Sequence, residues 1–152
     1  MNKLRLIVLA TALTAAVWTV AQSQSGYPSP SPARPVTLAP DSRCFELRTY
    51  YAAPGKLGAL SEQFRLHTDK LFAKHGMTPI GYWIPSNRGM VVENKLVYML
   101  AYPNREARDK SWAAFANDPE WKEAVKITET NGPLVSKVDV MFLSATDYSP
   151  LK

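Results

Sequence analysis

The sequence predicts an α+β fold in the order β-α-β-β-α-β, a four-stranded antiparallel sheet with both helices on one face. Three observations carry that reading. Four runs rich in aromatic and β-branched residues either alternate in polarity or are apolar throughout. Two other stretches space apolar residues three and four apart, the period of a helix with one face on a core. Gly, Pro and Asn stand at the joints.

The first strand is Cys44–Tyr51, with Phe45, Leu47 and Thr49 on one face and Glu46, Arg48 and Tyr50 on the other. Ala53-Pro54-Gly55 stops it. Lys56–His75 reads as a helix whose stripe is Leu57, Leu60, Phe64, His67 and Leu71, and Gly76 suits the left-handed cap after it. Met77–Pro85 is the second strand, with Tyr82 and Trp83 on opposite faces. Pro79 limits its pairing, as at a sheet edge or a bulge. Asn87-Arg88-Gly89 marks a turn within a hairpin connection over Ser86–Asn94. Lys95–Tyr102, apolar on both faces, reads as a central strand.

Asn104 is placed to cap a helix over Arg105–Asn117. Trp112, Phe115 and Ala116 give it a narrow apolar face, which Arg108 interrupts. Asp118-Pro119-Glu120-Trp121 restarts the helix, with Asp as cap and Pro in first position. Trp121, Ala124, Val125 and Thr128 share its inner face, and Asn131-Gly132-Pro133 ends it. Leu134–Leu143 is the last strand and Ser144–Lys152 a polar tail. The usual solution for this order is a ferredoxin-like plait. It leaves one sheet face without helices. With an apolar third strand, and with Tyr50, Tyr82, Trp83, Tyr98 and Tyr102 divided between two faces, the bare face must carry apolar side chains. Open apolar faces mark interfaces or grooves, and two copies pressed sheet to sheet would cover this one. A homodimer is the expectation.

The N-terminus has the three parts of a secretory signal: Lys3 and Arg5, the uncharged run Leu6–Val20, and small residues at Thr19 and Ala21 for cleavage after Ala21. That run is short for a bilayer span of about 20 residues. The expected organisation is a signal peptide over 1–21, a Pro/Ser-rich disordered linker over 22–40 and one folded domain over 41–150. The mature chain is expected in the periplasm or outside the cell, with no stable membrane span. The formal charge of +5 is a mild excess without a basic stripe, which argues against nucleic acid as partner. The lone Cys44 excludes an internal disulfide, and an inert thiol at least partly buried is expected.

Several pieces of the domain together resemble the NIPSNAP family, within the dimeric α+β barrel superfamily. They are Phe45-Glu46-Leu47-Arg48-Thr49-Tyr50 with Pro54-Gly55-Lys56-Leu57, Phe64-Arg65-Leu66-His67, Lys74-His75-Gly76, Ile80-Gly81-Tyr82-Trp83, Leu100-Ala101-Tyr102, Asp118-Pro119-Glu120-Trp121 and Ser149-Pro150. The resemblance covers residues 44–150. It implies a plait that pairs through its sheets into a barrel. It brings no settled reaction and no shared catalytic set. The superfamily also holds small oxygenases, isomerases and haem-handling proteins, which is analogy at the level of fold.

Chemistry-bearing residues are few. His67 lies on the stripe of the first helix, where a hydrogen-bonded core histidine competes with a proton-transfer or haem-ligand role. Glu46 and Arg48, two apart on one strand face, form either a structural ion pair or an anion-holding and acid–base pair inside the barrel. Tyr50, Trp83 and Tyr98 are the candidate lining of a ligand cavity. His67 and His75, eight apart with no supporting acids, do not make a metal motif, and no cofactor follows from the residues. The favoured function is an exported homodimer that binds a hydrophobic small molecule or another protein. The other is a small monooxygenase- or isomerase-type enzyme with its substrate in the barrel. The two part on whether Glu46, Arg48 and His67 converge on a cavity.

Overall fold

A computed structural model describes residues 34–91 and 93–152. The expected signal peptide, and residues 22–33 of the expected linker, lie outside the described residues. Among the described residues six strands and four α-helices follow one another: β1 (Cys44–Ala52), α1 (Leu57–Gln63), α2 (Asp69–Lys74), β2 (Thr78–Trp83), β3 (Ser86–Asn87), β4 (Met90–Val91), β5 (Lys95–Tyr102), α3 (Arg105–Asn117), α4 (Pro119–Thr128) and β6 (Val135–Leu143). The main sheet has the antiparallel order β2-β5-β1-β6, so the fold is the α+β plait the sequence predicts.

The strand pattern explains which face meets the helices. In the β1–β5 register Cys44, Glu46, Arg48 and Tyr50 stand opposite Tyr102, Leu100, Tyr98 and Leu96. These four β5 side chains pack against Leu60, Phe64, Leu71, Phe72 and Phe115 to make the main core. The opposite face carries Leu47, Val97 and Met99, and among the described residues no helix lies over it. Strand β2 lies at an edge and is irregular between Pro79 and Gly81, as its proline requires. The β3–β4 hairpin turns through Arg88 and Gly89 at φ 50° and 81°, the two left-handed positions of a two-residue loop.

The first helical stretch departs from its expected stripe. Between α1 and α2 the chain makes a π-helical turn over Phe64–Thr68, closed by Asp69 N–H donating to the carbonyl of Phe64. The wider turn brings Thr68 and Phe72 into line with Leu60 and Phe64, and these four are buried together with Gln63 and the expected Leu71. Thr68 takes the inward position expected for His67, which is left half-buried.

The segments flanking the strands, around Leu38 and Thr146, are more structured than their composition suggests. Ala39 N–H donates to the carbonyl of Ala145 at 2.9 Å, Asp147 N–H to that of Thr37 at 3.0 Å, and Leu38 bridges Thr146. Ala39 and Ala145 join Phe45 and Ala101 in a second small cluster on the helix-free side. The compact unit therefore begins at Pro35, inside the segment expected to be a solvated linker. An extended Pro-rich segment keeps free backbone groups on its non-proline residues, and here the tail pairs with them. Among the described residues no helix is long and apolar enough to cross a membrane.

Candidate functional site

Glu46 is the centre of the polar chemistry. Its place on β1 turns it under the helices, where its side chain is fully buried. A buried carboxylate must be paired and hydrogen-bonded, and this one is paired on all sides. Arg48 Nη1 donates to Oε1 at 2.8 Å. Arg108 grips both oxygens, Nη2 to Oε1 at 2.5 Å and Nε to Oε2 at 2.9 Å. The Tyr102 hydroxyl and Trp112 Nε1 each donate to Oε2 at 2.9 Å. Burial alone would raise the Glu46 pKa. The hydrogen bonds from Arg108 and Trp112, with the charge of Arg48, outweigh it and hold the value at about 2.

Both guanidiniums are largely enclosed, at 13% exposure for Arg48 and 18% for Arg108. The Arg48 guanidinium lies 4.2 Å from the Trp112 ring centroid, a cation–π contact in a dry setting. Two guanidiniums face the one buried carboxylate, and on the solvent side Arg108 Nη1 also donates to Asp109 at 3.0 Å. Burial pushes the Tyr102 hydroxyl pKa up, and the Glu46 charge adds to it, so the phenol stays a donor. Among the described residues Arg48 Nε and the Tyr98 hydroxyl are buried without a hydrogen-bond partner, on residues that stand opposite each other in the β1–β5 register.

The predicted site residues therefore separate. Glu46 and Arg48 are joined, but beneath the helices rather than on the face expected to line a barrel. The core claimed that face because the apolar rings of β5 lie on it. His67 stands on the π-helical turn, and no hydrogen bond links it to Glu46 or Arg48. The other histidine, His75, is the one held: Nε2 meets Asp118 Oδ2 at 2.6 Å. Tyr50 and Tyr98 pack edge to face with centroids 5.2 Å apart, inside the core. Trp83 is elsewhere. It is 49% exposed on the edge strand and lies over Gly81, where a Cβ would come within 2.7 Å of its ring.

Trp83 instead lines a cleft of about 360 Å³ together with Phe64, Tyr82, Ile84 and Leu96. Ser61, Arg65 and Asp69 form its polar rim, and the Tyr82 hydroxyl donates to Asp69 at 2.6 Å. This is a mostly apolar hollow with a few polar groups at its edge, the usual composition of a small-molecule site.

Sequence reasoning missed Tyr102, Arg108 and Trp112 as partners of Glu46. A signal was present. Arg108 breaks an apolar helix face one turn before Trp112, and the two reach the same carboxylate. Among the described residues no group of His, Cys, Asp and Glu is arranged to hold a metal ion.

Comparison with known proteins agrees with the fold. A NIPSNAP family protein of unknown function from Agrobacterium tumefaciens superposes with a TM-score of 0.64 at 20% identity, over 76% of this chain and 99% of that one. A NIPSNAP-like domain protein from Burkholderia xenovorans gives 0.61 at 22% identity, over 72% and 90%. A comparison with curated proteins found no match. The sequence itself matches the NIPSNAP family pattern over residues 45–150, nearly the whole compact unit. The chain belongs to the NIPSNAP family.

Proposed function

We propose that this chain is an exported homodimer that pairs through its helix-free sheet face and holds a small apolar molecule in the cleft beside Trp83. The observation that carries the reading is that face. Leu47, Val97 and Met99 are only half-buried there, and Met141, beside Leu47 in the sheet, is 57% exposed. An apolar face of that extent is covered in a stable assembly. Export rests on the leader, with Lys3 and Arg5 before Leu6–Val20.

A binding role is favoured over acid–base catalysis for one reason. Glu46, the expected proton-transfer group, has both oxygens occupied and a pKa of about 2, far from the working range of a general base. Native mass spectrometry of the mature protein purified from its own host tests the proposal. A dimer retaining a small molecule is expected, whereas a bare monomer would overturn it.

A further inference from the structure

A second hollow lies on the other side of the molecule, at the corner where β1 and β6 meet the start of α3. Its volume is about 330 Å³, and its lining includes Ser42, Arg43, Arg105 and Ser144 but no acidic side chain. Arg43 Nε donates to the backbone oxygen of Lys152 at 2.7 Å, and Arg105 Nε lies 3.4 Å from Asp109. Neither contact uses an Nη group, so both guanidiniums keep donors for a ligand. The Arg105 guanidinium is stacked 3.6 Å above the Phe142 ring, which fixes its plane at the edge of the hollow. The Arg108 guanidinium lies just behind, packed over Phe142 at 5.2 Å and paired with Glu46 and, through Nη1 at 3.0 Å, with Asp109, so the charge that faces the hollow is that of Arg43 and Arg105.

An apolar strip leads away from this cationic end. Phe142, Val140 and Val138 follow one another along the helix side of β6 and are 38%, 44% and 40% exposed. At about 3.4 Å per residue the strip spans about 14 Å, the reach of a medium-length alkyl chain. Sheet-to-sheet pairing would cover the opposite face and leave this strip open.

We infer that this corner binds a single-chain amphipathic anion, a fatty carboxylate, with its head between Arg43 and Arg105 and its chain along Val140 and Val138. The charge of the hollow and the direction of the strip select that occupant over a neutral or cationic amphiphile. The cleft beside Trp83 is a separate site, so the inference stands independently of what binds there.

Cys44 supplies the readout, because it is the only cysteine and lines the hollow. The mature protein is incubated below micellar concentration with dodecanoate, dodecanol or dodecyltrimethylammonium, and alkylation of Cys44 by iodoacetamide is followed by mass spectrometry. Dodecanoate is expected to slow alkylation saturably, while the other two leave the rate unchanged. Arg105→Gln, and separately Arg43→Gln, are expected to raise the half-saturating dodecanoate concentration about tenfold, the loss of one charge-assisted contact. Equal protection by dodecanol, an unchanged half-saturation in both variants, or no protection by dodecanoate would each overturn the inference.

Discussion

Glu46 shows how one buried charge organises its surroundings. Replacing it with Gln removes the anion and leaves Arg48 and Arg108 enclosed and facing each other. Breaking a buried pair from one side costs about 3–5 kcal/mol, and urea denaturation of Glu46→Gln at neutral pH should show a loss of that order. The pH dependence has a definite sign. The folded pKa lies below the unfolded value, at about 2, so the stabilisation is complete above the unfolded carboxylate range and is lost as pH falls toward 2. The wild-type denaturation midpoint should therefore drop on acidification below about pH 4.5, with a shallower drop in Glu46→Gln. Tyr98 is the converse case. Its hydroxyl is fully buried and unpaired, so Tyr98→Phe should leave stability unchanged or raise it by up to about 1 kcal/mol in the same assay.

At the scale of elements, Asp118 joins two helical units. Its carboxylate accepts from Glu120 N–H at 2.7 Å, capping α4, and from Lys74 Nζ at 2.8 Å at the end of α2 and His75 at 2.6 Å just after it. The Lys74 and His75 contacts hold its pKa below the ordinary carboxylate range. Asp118→Ala should cost about 1–2 kcal/mol, the upper part of the capping range, read as a fall in thermal midpoint. That cap was legible in the sequence, because Asp-Pro-Glu at a helix start has a mechanism in each residue. The π-helical turn was not. It shifts the hydrogen-bond pattern by one residue without calling for a particular residue type, and it moved His67 off the inner stripe in favour of Thr68. The ion pair of Glu46 with Arg48 follows from their spacing of two on one strand face, but Arg108 comes from 62 residues away, a distance in sequence that no local spacing spans.

At the scale of the whole molecule the sheet has two unequal faces. One is sealed by helices over β5 and β1. Among the described residues, the other is covered at one end, by the segments around Ala39 and Ala145. Strand β6 is an edge nine residues long and is largely exposed on both faces. Long apolar edges are seldom left unprotected in stable proteins. Met141→Lys places a charge in the middle of the proposed pairing face without touching the core. Size-exclusion chromatography with light scattering should find that variant folded and monomeric beside a dimeric wild type. A Met141→Lys dimer would place the interface elsewhere.

The sequence by itself determined the order of the elements, the edge position of the proline-bearing strand, the central place of Lys95–Tyr102 and the family. Those properties are local: they follow from side-chain period, turn residues and short motifs. Only the tertiary structure decided which face of β1 lies under the helices, and with it the fate of the candidate site. Alternation puts Glu46, Arg48 and Tyr50 on one side but does not say which side is covered. That choice was made by the rings of β5 and the helices packing over them, which buried Glu46 where Arg108, Trp112 and Tyr102 could satisfy it.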